Sequence, residues 1–144
     1  MRWLALLSVM VIAVTSPAQA QHARYHMVIH VDSPDADVMT EALHNATNTI
    51  DTARHQGATV AIEIVANGRG TAMFIEGLSP VRDEVQRIHA VYPAIVMSAC
   101  GISLAHTAAA MKQELTVLPE ARVVPSGALR IMQLQAQHWA YLKP

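Results

Sequence analysis

Short apolar, β-branched runs alternate along this chain with segments whose apolar residues recur every three or four positions, and that alternation leaves few architectures open. Residues 25–31 (YHMVIHV) read as a first strand. Ser33-Pro34 follows, suited to an N-cap and a first helical position. It opens a stripe of Val38, Met39, Ala42, Leu43, Ala46, Ile50 and Ala53, which Gly57 closes. Residues 59–66 (TVAIEIVA) read as a second strand, ending in Asn67-Gly68-Arg69-Gly70. Residues 72–78 read as a short helix, and Ser79-Pro80 repeats the earlier start signal. Val81, Val85, Ile88 and Tyr92 then mark a helix that stops before Pro93. Residues 94–99 form a third strand running into Cys100-Gly101, with a helix from Ser103 to about Gln113. A fourth strand over 121–124 leads through Pro125-Ser126-Gly127 into a helix from Ala128 to about His138, and 139–142 reads as a terminal strand.

Strands alternating with helices predict an α/β fold, a mostly parallel sheet with right-handed crossovers and helices on both faces. In such sheets the ligand site lies beyond the carboxyl ends of the strands. Four segments meet that description: His30-Val31-Asp32-Ser33, Asn67-Gly68-Arg69-Gly70, Cys100-Gly101 and Pro125-Ser126-Gly127. They hold much of the glycine and the single cysteine of the chain.

Residues 1–20 read as an export signal rather than part of the fold. Arg2 supplies a positive start, 3–14 is apolar apart from Ser8, and Ala18-Gln19-Ala20 is the small-x-small pattern read by signal peptidase. The apolar stretch is shorter than the roughly 20 residues a membrane span requires. The expected mature protein is therefore one domain, 21–144, outside the cytoplasm and free of the membrane after cleavage. It carries nine Lys and Arg against eleven Asp and Glu, with no basic patch, which argues against nucleic acid as a partner. A composition rich in Ala, Val, Ile and Met and poor in aromatics suits a sheet buried on both faces, or a surface covered by self-association.

One cysteine in an exported chain rules out an internal disulfide. Cys100 is then a buried small hydrophobe, an intermolecular partner or a reactive thiol. Its place at a strand end ahead of a helix favours the last, because unpaired N–H groups and the helix dipole lower a thiol pKa. Gly101 leaves the backbone beside the sulfur open. A cysteine hydrolase would also need a base, and His30 and His106 are the candidates. The Gly68-x-Gly70 pattern lacks the rest of a dinucleotide or phosphate loop, and no Cys-x-x-Cys is present. His22, His26 and His30 recur every four residues but lie on a strand and its lead-in, where that spacing does not gather metal ligands. No metal or cofactor is therefore expected.

Several stretches together resemble the DsrE/DsrF-like family, in its exported single-domain branch. They are His30-Val31-Asp32, Val65-Ala66-x-Gly68-x-Gly70, Ala99-Cys100-Gly101, Val123-Val124-Pro125-Ser126-Gly127, Leu134-Gln135, and Trp139-Ala140-Tyr141-Leu142-Lys143-Pro144. The resemblance spans about residues 25–144. Ile102 and Ser103 stand where relatives often have Asn and Thr, and Asn67 stands where His is common. The likeness implies a three-layer α/β sandwich and a homo-oligomer located in the periplasm. It also implies a persulfide carried on Cys100 and exchanged with a sulfur donor or acceptor protein. Gly101 and Ser103 would supply donors to the anionic sulfur, and His30, Asp32, Asn67, Gly68 and Ser126 would line the pocket. The competing expectation is a non-enzymatic oligomer that binds a small ligand, with Cys100 merely packed.

Overall fold

The computed structural model describes residues 24–144; the expected export signal over 1–20 lies outside the described residues. The elements are β1 (Arg24–Val31), α1 (Ala36–His55), β2 (Thr59–Ala66), a 3-10 helix (Gly68–Phe74), α2 (Arg82–Val91), β3 (Val96–Cys100), α3 (Gly101–Met111), β4 (Arg122–Val124), α4 (Gly127–Ala136) and β5 (Ala140–Leu142). The sheet order is β4-β3-β2-β1-β5 and every pairing is parallel.

This order determines the layering. From β1 through β2 and β3 to β4 the chain steps one strand at a time in one direction. Right-handed crossovers then put α1, α2 and α3 on a single face. The last connection reverses direction to reach β5 at the far edge, so α4 lies alone on the other face. The packing agrees. Met39, Ala42, Leu43 and Ala46 of α1 and Val85 and Ile88 of α2 pack with Ile29, Ile62, Ile64 and Met97 in the main core, and Leu104 of α3 joins its margin. Val28 and Val65 point the opposite way, onto Ile131 and Leu134 of α4. The period-2 alternation of β2 thus places Ile62, Ile64 and Ala66 in the main core and turns Glu63 and Val65 towards α4.

Several boundaries differ from the sequence expectation, three of them at helix starts for reasons the hydrogen bonds give. The first helix is capped by Asp35, whose carboxylate accepts from the Asp37 N–H at 2.9 Å. Ser33 is spent earlier, accepting from the Asp35 N–H at 3.2 Å, so Pro34 precedes the cap instead of opening the helix. Ser79 likewise does not cap α2; its hydroxyl donates to the Met73 carbonyl at 2.6 Å and fastens the end of the 3-10 turn. The helix expected over 72–78 is this 3-10 segment, starting four residues earlier at Gly68.

Gly70 explains why that segment is wound so tightly against the sheet. A Cβ there would sit 2.3 Å from the Val31 carbonyl oxygen, so only glycine lets the loop after β2 press onto the end of β1. The Asn67 N–H also donates to that carbonyl, at 3.0 Å. The two glycines of the Gly68-x-Gly70 pattern therefore meet backbone requirements, Gly68 through its φ of +52° and Gly70 through this close approach.

α3 is the exception to the core-burying rule. None of its residues is buried, although the helix is apolar along most of its length, and Ile102 is 54% exposed. Among the described residues no helix is long and apolar enough to cross a membrane.

Candidate functional site

Cys100 is the last residue of β3 and the N-cap residue of α3, with extended backbone at φ −72° and ψ 116°. Its side chain lies on the α4 face, because its register partner across the sheet is Val124 and the next residue of β4 on that face is Arg122. α4 therefore begins directly beside the sulfur. Gly127, its first residue, would place a Cβ 3.1 Å from Cys100 Cβ and 2.9 Å from Asn67 Cβ, so glycine is what allows this approach. Two helix N-termini, those of α3 and α4, meet at one thiol.

The electrostatic balance at Cys100 follows from that meeting. Burial, which leaves the residue only 4% exposed, pushes the thiol pKa up. The Ser103 hydroxyl and the amides of Gly127, Ser103 and Ile102 outweigh it, and the pKa ends below the ordinary thiol value. Cys100 closes no side-chain capping hydrogen bond with α3; what favours its charged form is hydrogen bonding from the Ser103 hydroxyl and these amides.

The Ser103 hydroxyl also accepts from the Gly68 N–H at 2.8 Å. That links the loop after β2 to the start of α3 directly behind the sulfur. The groups that lower the thiol pKa most are on Ser103, Gly127 and Ile102, and Gly101 has a clear steric role beside them. It accommodates β4: a Cβ there would lie 3.2 Å from the Val124 carbonyl oxygen.

His30, Asp32 and Asn67, also expected in the pocket, lie together at the end of β1. His30 Nε2 faces Asn67 Oδ1 at 2.9 Å and Nδ1 faces the Tyr141 hydroxyl at 2.7 Å. With a carbonyl oxygen opposite it, Nε2 carries the proton, and Nδ1 accepts from Tyr141. Both ring nitrogens are thus engaged away from Cys100. Asp32 pairs with Lys143 Nζ at 2.6 Å, and this hydrogen bond holds its carboxyl below the usual carboxylate range. The terminal strand β5 and the two residues after it therefore close over the end of β1. Asn67 is the shared member, touching His30 on one side and approaching Gly127 on the other. Ser126 caps α4, accepting from the Leu129 N–H at 3.3 Å. His106 is exposed on α3 and lines a surface hollow with Gly68, Arg69 and Ser103, on the outer side of the hydroxyl that supports Cys100.

Sequence reasoning passed over one group of residues. Glu63, 1% exposed in the middle of β2, accepts from Arg130 Nε at 2.9 Å and Arg130 Nη2 at 2.6 Å. Arg122 Nη2 and the Ser98 hydroxyl reach the same carboxylate at 3.0 and 2.7 Å. Burial pushes the carboxyl pKa up, and the hydrogen bonds from Arg130, Ser98 and Arg122 overcome it, leaving it lowered. The available signal was a lone Glu inside an otherwise apolar strand, which demands a cationic partner somewhere in the fold.

The fold is that of an α/β protein with a five-stranded parallel sheet and a nearly buried free cysteine at the carboxyl end of its third strand. No protein-family model matches the chain, and no curated protein is detectably similar to it in sequence. Among solved structures the chain is similar to a protein of unknown function, MTH1491, from Methanobacterium thermoautotrophicum. The two are 24% identical, the match covers 83% of this chain and 99% of the other, and the TM-score is 0.70. That likeness shows a shared fold.

Proposed function

We propose that this protein handles sulfane sulfur, carrying it as a persulfide on Cys100. The observation that supports the reading is the convergence of two helix N-termini and the Ser103 hydroxyl on one thiol whose pKa they lower. Such surroundings stabilise an anionic sulfur, whether thiolate or persulfide. The step balances without an external oxidant. The Cys100 thiolate attacks the sulfane sulfur of a donor such as a polysulfide; a new S–S bond forms, the donor S–S bond breaks, and the shortened donor leaves with the electron pair. Release is the same displacement in reverse, with an acceptor thiolate attacking the outer sulfur and Cys100 leaving as thiolate.

The resemblance to DsrE/DsrF-like proteins favours the same reading, and with it a periplasmic location and a homo-oligomer. The unburied apolar helix α3, which starts at the thiol, is the surface that self-association would cover. A hydrolase that uses His30 as its base is disfavoured because that residue spends both ring nitrogens on Asn67 and Tyr141.

Intact-mass measurement after incubation with inorganic polysulfide tests the proposal, with Cys100→Ser alongside. A gain of one or more sulfur atoms on the wild type alone, reversed by reductant, is expected. Absence of any gain on a native protein whose thiol titrates once unfolded would overturn it and leave the small-ligand-binding alternative.

A further inference from the structure

The Glu63 cluster carries more positive charge than its own carboxylate needs. Two guanidinium groups, Arg122 and Arg130, converge on one carboxylate, leaving a net charge of about +1 at that point. Arg130 meets Glu63 with its Nε and Nη2 edge, while Arg122 spends Nε on Ser98 at 3.1 Å and Nη2 on Glu63. A guanidinium has five N–H donors, so about three on each arginine are left over by these contacts. Both arginines line the same hollow, about 310 Å³, between β4 and the first turns of α4. Its remaining polar wall includes Ser126 and Gln133, and its apolar wall includes Leu129, which is 51% exposed.

The buried carboxylate has a second consequence. It fixes two long side chains that would otherwise lose rotamer freedom on gripping a ligand. An anion entering the hollow meets guanidinium groups already oriented, which is the condition under which charge-assisted contacts give net affinity.

We propose that this hollow is a binding site for a small organic monoanion, a carboxylate with a compact hydrocarbon body. The carboxylate is received by the unused donors of Arg122 and Arg130, and the hydrocarbon rests on Leu129. Monovalency follows from the single residual charge, and the planar head group from the fork geometry of guanidinium. This binding does not depend on the thiol chemistry, although Ser126, the cap residue of the helix that begins beside Cys100, lines the hollow as well.

The probe is 4-methylpentanoate, with its neutral amide as the matched control, titrated at low salt into the full mature chain and followed by amide chemical shifts. Saturable binding of the carboxylate at one site per chain is expected, with shifts confined to β4 and the start of α4. The amide should bind at least about tenfold more weakly, as should the carboxylate to Arg122→Gln. Arg122→Gln leaves Glu63 with Arg130 and Ser98. Should that variant lose its fold, Gln133→Glu places a competing carboxylate three residues along α4 from Arg130 in the same hollow, and it should abolish binding in a protein that stays folded. The proposal is overturned if the carboxylate does not saturate, if the amide binds equally well, or if the folded variants bind as the wild type does.

Discussion

Ser103 Oγ accepts the amide proton of Gly68 at 2.8 Å, and the same hydroxyl is the foremost group that lowers the Cys100 thiol pKa, so that a loop and a helix start act on one sulfur. Two elements 35 residues apart in sequence are thereby tied to the thiol through a single oxygen. Replacing Ser103 with Ala removes the donor and leaves the Gly68 N–H without its partner. The thiol pKa should rise, and alkylation by iodoacetamide at pH 7 should slow by about three- to tenfold. The effect is smaller than the loss of thiolate alone would give, because a more basic thiolate is intrinsically more nucleophilic. A pH series of alkylation rates reads it directly: a midpoint that does not move upward in Ser103→Ala would remove the hydroxyl from the account.

Gly127→Ala tests the second helix. The added Cβ would meet Asn67 Cβ at 2.9 Å and Cys100 Cβ at 3.1 Å, and neither atom can rotate away because each is fixed to its own backbone. α4 must move back, carrying its first amide away from the sulfur. The variant should lose about 1–3 kcal/mol of stability in urea unfolding and show a raised thiol pKa. Gly70→Ala, at 2.3 Å from the Val31 carbonyl oxygen, should be worse for stability because the obstruction is backbone. A Gly127→Ala protein that melts and alkylates as the wild type does would mean that α4 contributes nothing at the thiol.

His30→Gln separates a base from a structural histidine. Both ring nitrogens are taken by Asn67 and Tyr141, and neither faces Cys100. The pH-rate profile for Cys100 alkylation should therefore keep its midpoint in this variant. Some stability should be lost, because β5 would then be held to the end of β1 on this side without the Tyr141 contact. A collapse of thiol reactivity would return His30 to the role of catalytic base.

The alternation of strands and helices was legible because it depends on local pattern: TVAIEIVA is β2 at the residues expected, and the stripe from Val38 to Ala53 lies within α1. The caps were less so. Ser33 and Ser79 are both good capping residues, but each is consumed by a turn that local sequence does not specify, and Asp35 takes over at the first helix. The thiol's position at a strand end and a helix start could also be read. The approach of Gly127 could not, because it depends on α4 crossing to the opposite face. Glu63 was hidden for the same reason: its partners Arg122 and Arg130 lie 59 and 67 residues further along the chain.

Glu63→Gln is the strongest stability prediction. The wild-type carboxylate is almost wholly buried and is matched by Arg130, Ser98 and Arg122; the amide leaves two guanidinium groups facing each other without the charge that held them. Because both arginines are partly exposed and can turn to water, the loss should be about 3 kcal/mol, at the lower end for a broken buried pair. The pH dependence follows from the direction of the shift. The folded-state pKa of Glu63 lies below that of the unfolded chain, so the unfolded state binds its proton first as pH falls. The stabilisation is complete above the ordinary glutamate pKa of about 4.3 and is lost as the pH drops through the lowered folded value. Urea unfolding of wild type and Glu63→Gln at intervals from pH 7 down to pH 3 should show the gap between them steady at first, then narrowing below about pH 4. A gap that stays constant to pH 3 would mean that the cluster is held by packing rather than by the charge on Glu63.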